Sequence, residues 1–74
     1  MASLSREDME ILRIALSIWH KKQPFERAVG AAVRQCDGAF PDYQRLMEVL
    51  RVRARKLKGS TDQAAENLLS EQEP

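Results

Sequence analysis

Cysteine occurs once in this chain, at Cys36, and histidine once, at His20. A lone thiol closes no intramolecular disulfide, and one thiol with one imidazole falls short of a Cys/His zinc ligand set. Stability must come from packing. Aromatic residues make up only 5% of the chain, with one Trp, one Tyr and two Phe, so the core has to be largely aliphatic. No apolar run approaches the roughly 18 residues that a membrane-spanning helix needs. Residues 11–19 have the apolar character of a secretory signal, but Arg13 interrupts them and Glu7, Asp8 and Glu10 precede them where such a signal carries positive charge. A cytoplasmic setting with no membrane partner is expected.

The patterns of a catalyst are also missing. There is no glycine-rich phosphate loop, no paired-carboxylate site and no metal-ligand spacing. Ser17 and His20 stand three residues apart, yet no orienting acid or oxyanion donors accompany them, so His20 reads as a helix-capping residue. Cys36 falls where a helix ends, and the dipole there disfavours a thiolate, so it reads as a small core residue. A non-enzymatic protein without cofactor or metal is expected.

What the chain does hold is helical periodicity. At 74 residues it has room for one small domain, with 43% apolar and 31% charged residues, an ordinary balance for a globular protein. Residues Met9 to Trp19 contain eight apolar residues among eleven. On a helix these cover roughly 220° of the circumference, too wide a stripe to be buried by one neighbour. That helix is expected to be central and sandwiched, with Trp19 and the isoleucines Ile11, Ile14 and Ile18 all covered. Ser5 is a suitable N-cap with Glu7 and Asp8 in the first turn, and the helix should run through the cations of His20-Lys21-Lys22 to about residue 22. Pro24 then opens a second helix over about 24–36, carrying Phe25, Ala28, Val29, Ala32, Val33 and Cys36 on one face and ending with Gly38 in left-handed geometry.

A third helix over about 41–58 carries Tyr43, Leu46, Met47, Leu50, Ala54 and Leu57 on its core stripe and stops at Gly59. After it, Ser60 and Gln63 resemble a capping box, and Ala64, Ala65, Leu68 and Leu69 form one face of a short helix over about 61–69. A segment so short is ordered only if it docks on something. The expected fold is all-α: a small three-helix bundle over 1–59, followed by an acidic tail, 60–74, with this short fourth helix. Charge is divided along the same boundary. Residues 1–59 hold all twelve Lys and Arg against seven acids, whereas 60–74 hold four acids and no base.

Two functions compete for such a chain. Val49, Val52, Leu68 and Leu69 exceed what a three-helix core requires, so they are candidates for a surface that binds a partner protein or a second copy, giving a homodimer. The alternative is nucleic-acid binding along the third helix. There Arg51, Arg55 and Lys58 share a flank, assisted by Arg45 and Lys56, and could neutralise backbone phosphates while the acidic tail competes for them. A helix-turn-helix reading fits poorly, because Asp42 stands where base-contacting residues would be.

Overall fold

The computed structural model describes residues 4–72. Four helices follow one another: α1 (Arg6–Ile18), α2 (Phe25–Gln35), α3 (Phe40–Leu57) and α4 (Thr61–Gln72), with no strand among the described residues. The bundle is all-α, as expected. α1 and α3 each pack against α2 and α4, and α2 touches α4 across the middle. Each helix runs back along the one before it. Trp19 and Phe25 meet at one end of the α1–α2 pair, while Asp8 and Cys36 line one hollow at the other. Leu12, Val29, Leu46 and Leu50 are the largest side chains fully removed from water.

α1 begins as its sequence dictates. The Ser5 hydroxyl accepts from the Asp8 amide at 3.1 Å, and the Asp8 carboxylate accepts from the Ser5 amide at 3.5 Å, a reciprocal capping box. It ends four residues earlier than expected. Trp19 turns to extended geometry, its indole Nε1–H donates to the Gln23 carbonyl at 2.8 Å, and its ring meets Phe25 edge-on with centroids 5.4 Å apart. Cations beside a helix C-terminus gain only about 0.3–1 kcal/mol each, and an aromatic pair with a satisfied indole outweighs that. His20, Lys21 and Lys22 therefore sit in an exposed turn. The sandwich around α1 is also narrower than its apolar arc. Ile11, Leu12 and Ala15 are buried and Ile14 is partly covered, but Ile18, in the last turn, is 40% exposed.

Both later helix ends sit one residue off the expected register. At the end of α2 the left-handed residue is Asp37 (φ 54°), not Gly38, and at the end of α3 it is Lys58 (φ 55°), not Gly59. Each glycine instead donates its amide back across the last turn, Gly38 to Val33 at 2.8 Å and Gly59 to Ala54 at 3.0 Å. Gly38 is needed for closeness: a Cβ there would lie 2.7 Å from Cγ1 of Val33. Pro24 precedes α2 as its N-cap, and Cys36 follows the last helical residue and is exposed rather than buried. The apolar face of α2 stops at Val33, and the phase that would have carried Cys36 inward is lost when the helix ends at Gln35.

α4 is longer than the expected 61–69 and belongs to the fold. Ser60 donates its amide to Gln63 Oε1 at 3.0 Å, and Ala64, Ala65, Leu68 and Leu69 are all buried. Two alanines at the contact let this helix approach closely, and α4 supplies the fourth wall that the wide stripe of α1 requires.

Candidate partner-binding groove and basic face

The apolar surface expected from the sequence does not assemble. Leu68 and Leu69 retain 3% and 9% exposure, so they are core residues and leave the candidate surface. The physical reason is that α4 is an ordered helix whose apolar face packs onto α3 and α1. Val49 packs against the core and is half-buried, leaving only Val52, 43% exposed, open to solvent. One half-exposed valine is no patch.

The basic residues of α3 divide into committed and uncommitted groups. Arg45 is withdrawn from the phosphate-binding set, because its guanidinium donates to both oxygens of Asp8, at 2.9 and 2.7 Å. Asp8 is 2% exposed. Burial pushes its carboxyl upward, but the paired Arg45 and the Ser5 cap outweigh burial and hold it below the usual 3.8. The same pairing raises Arg45. Arg51 lies between Glu26 at 3.7 Å and Glu48 at 3.9 Å. Arg53 is bound to α4, donating to Asn67 at 2.8 Å and Glu71 at 2.7 Å, so the acidic segment docks on the basic helix through this residue. Arg55, Lys56 and Lys58 are exposed and have no ion pair among the described residues.

A different feature has shape. Between α2 and the start of α3 runs a half-open groove of about 580 Å³. Phe40 forms one lip. It is 69% exposed, the most exposed large apolar side chain described, and its ring stacks on Tyr43 with centroids 6.0 Å apart and planes inclined by 25°. Gly30 and Ala31 lie on the α2 side, and Gly30 lets Tyr43 come close: a Cβ there would be 3.3 Å from the ring. The Tyr43 hydroxyl is pushed up to about 12, first by burial, then by its hydrogen bond to Glu26 and that residue's charge, against an opposing pull from Arg51. Tyr43, Glu26 and Arg51 thus form a closed polar set behind the aromatic lip. Arg27 and Arg34 border the groove from α2, exposed and without a carboxylate partner among the described residues.

Sequence reasoning passed over Phe40, Arg27 and Arg34. Helices over 24–36 and 41–58 leave Phe40 in the connection between them, and the signal that could find it is an aromatic residue that fits neither helical stripe. Arg27 and Arg34 are seven residues apart, hence on one face of a helix, but nothing local tells which face stays open. A second hollow, lined by Glu7, Asp8, Glu10, Cys36, Asp37, Asp42 and Arg45, is mostly acidic. Among the described residues no group of three or more His, Cys, Asp or Glu is placed to hold a metal ion, and no helix is long and apolar enough to cross a membrane.

The fold and groove define an all-α four-helix protein with an aromatic-lipped cleft. Comparison with protein-family models, with curated proteins and with solved structures finds no match to this chain.

Proposed function

We propose that the protein is a small non-enzymatic helical interaction module that binds a partner protein through the α2–α3 groove. The observation that carries this reading is Phe40. A phenylalanine left 69% exposed forgoes most of its burial free energy, and here it is held in place by stacking on Tyr43 beside a concave surface. Aromatic anchors near arginines at the edge of a concavity are the side chains that dominate protein interfaces. Self-association through surplus apolar helix surface loses most of its basis, since Leu68 and Leu69 are spent inside the chain. A lone exposed thiol at Cys36 suits the reducing cytoplasm.

Site-specific photo-crosslinking in cells tests the reading. A photoreactive phenylalanine at position 40 is expected to yield a discrete adduct that is absent when the probe replaces Ser17, exposed on the outer side of α1. No adduct at position 40, or the same adducts from both positions, would refute it, and an adduct of twice the chain mass would instead indicate a homodimer.

The uncommitted Arg55, Lys56 and Lys58 support a second reading, nucleic-acid binding at the end of α3. Three free cations would give a shallow salt dependence, with a slope of about −3 on a logarithmic plot for duplex DNA. Deleting residues 60–74 is not a usable test of tail competition, because it removes four buried side chains. Charge reversal of Arg55 and Lys56 is. Unchanged retention of DNA and RNA at about 50 mM salt would remove the idea.

A further inference from the structure

The geometry points to an acidic amphipathic helix as the groove's occupant, carrying two carboxylates two turns apart on either side of an apolar anchor. This inference rests on the groove being a docking site, and it is carried by charge complementarity. Arg27 and Arg34 both border the groove on α2. Seven residues of helix separate them by about 10.5 Å along the axis and only about 20° around it. Arg45, Arg51 and Arg53 are all neutralised by carboxylates of this chain, whereas Arg27 and Arg34 have none among the described residues. The one acid in the groove, Glu26, is already engaged by Arg51 and by the Tyr43 hydroxyl. The cleft therefore presents two free positive charges with an apolar interval between them.

That interval fits a side chain rather than a phosphate. Between the two arginines α2 carries Gly30, whose face is closed by the Tyr43 ring, and Ala31, whose small side chain leaves space, and Phe40 lines the same groove from α3, stacked on Tyr43. A partner helix laid along α2 would place carboxylates at positions i and i+7 against the arginines. A Leu or Phe at i+3 or i+4 would enter between Ala31 and Phe40. Phosphodiester chains match the charges but leave the apolar walls without a partner, and a basic peptide would be repelled at both ends.

Fluorescence anisotropy with a labelled synthetic helix, glutamates seven residues apart and a leucine between them, tests the assignment on the full-length protein. Binding is expected, and it should disappear when both glutamates are replaced by lysine. The double variant Arg27→Ala, Arg34→Ala should weaken it about tenfold, since each rim ion pair is worth only a few-fold. Phe40→Ser should weaken it about thirtyfold, as for the central residue of an interface. Both variants should keep the melting temperature, because all three side chains are exposed. Equal affinity for the glutamate and lysine peptides would overturn the inference, and so would displacement of the bound peptide by an equimolar single-stranded oligonucleotide. Phe40-dependent self-association in sedimentation would also overturn it, assigning the groove to a second copy. If every peptide fails while the crosslinked adduct at position 40 persists, the groove reading stands and only the partner chemistry is wrong.

Discussion

The ion pair between Asp8 and Arg45 makes the sharpest test of how this small bundle is held together. It joins the first turn of α1 to the second turn of α3, two helices whose packing is otherwise mainly through α2 and α4, and it closes across 37 residues of sequence. The two partners are not equivalent. The Asp8 side chain is 4% exposed and the Arg45 side chain 54% exposed. Arg45→Ala strands a carboxylate away from water and should cost about 2–3 kcal/mol, below the range for fully buried pairs because solvent still reaches the arginine side. Asp8→Ala returns Arg45 to water at little expense and loses mainly a capping contact, so about 1–2 kcal/mol is expected. The double variant should fall short of the sum by about 1–2 kcal/mol, the coupling of the pair. Urea denaturation of all four proteins at neutral pH gives these values, and each kcal/mol lost should lower the melting temperature by about 4–8 °C. The pH dependence has a definite sign. Asp8 titrates below 3.8 in the folded chain, so its contribution is fully present above the unfolded value and is lost as pH falls through the lowered folded value. The advantage of the native protein over Asp8→Asn should therefore persist at pH 5 and fade only below about pH 3.8. Additive single-variant costs, or an advantage over Asp8→Asn that already fades above about pH 5, would refute the reasoning.

Three further outcomes follow from single features. Lys58→Gly should stabilise the protein by about 0.5–1 kcal/mol in chemical denaturation, because relief of a left-handed lysine exceeds the added freedom of glycine in the unfolded chain. Asp37→Gly should gain less, since aspartate tolerates that geometry better, and a loss in both variants would show that the residues are not left-handed in solution. Leu68→Ala should cost about 2–4 kcal/mol by calorimetry, as for a leucine inside a packed core; a neutral result would mean that α4 is not docked. Tyr43 is the only tyrosine, so an ultraviolet titration reads it directly. It should titrate near 12, and Glu26→Gln should move it toward 10, whereas an ordinary value in the native protein would contradict the pairing of the Tyr43 hydroxyl with Glu26.

Periodicity carried the helices, and their ends escaped it for reasons that are physical and particular. The stripes of α1, α2 and α3 are set by spacing within one element, so Leu12, Val29, Leu46 and Leu50 are legible as core from the sequence. The end of α1 is decided by an indole that finds a carbonyl four residues on and a ring six residues on, and neither belongs to a helical pattern. The left-handed positions fall on Asp37 and Lys58, with Gly38 and Gly59 one residue beyond and donating their amides to the previous turn, a register that a glycine-stop rule does not distinguish. Leu68 and Leu69 look surplus only when a three-helix core is assumed, and the assumption fails once α4 is counted as a wall. The groove was not legible at all. Its lip, Phe40, takes meaning from Tyr43 and from a neighbouring helix, and the freedom of Arg27 and Arg34 is known only after the described carboxylates are matched to Arg45, Arg51 and Arg53.

That distribution of partners also weighs the two functional readings against each other. In sequence the cations of α3 are the loudest feature, and a row containing Arg45, Arg51, Arg55, Lys56 and Lys58 suggests phosphate binding. In the folded chain Arg45 is locked to Asp8 and Arg51 is shared by Glu26 and Glu48, so the row is shortened to its C-terminal end. There the remaining cations complement the helix dipole, a role that by itself accounts for their presence. The dipole also accounts for Arg34, in the last turn of α2, but not for Arg27, which stands in the first turn, where a cation is disfavoured. These two arginines lie in the first and last turns of α2, without an ion pair to a carboxylate among the described residues, beside the only aromatic side chain among those described that is mostly open to water. Charge left uncompensated next to apolar surface left uncovered is a combination that a monomer's own stability does not favour, and a docked acidic helix would resolve both at once.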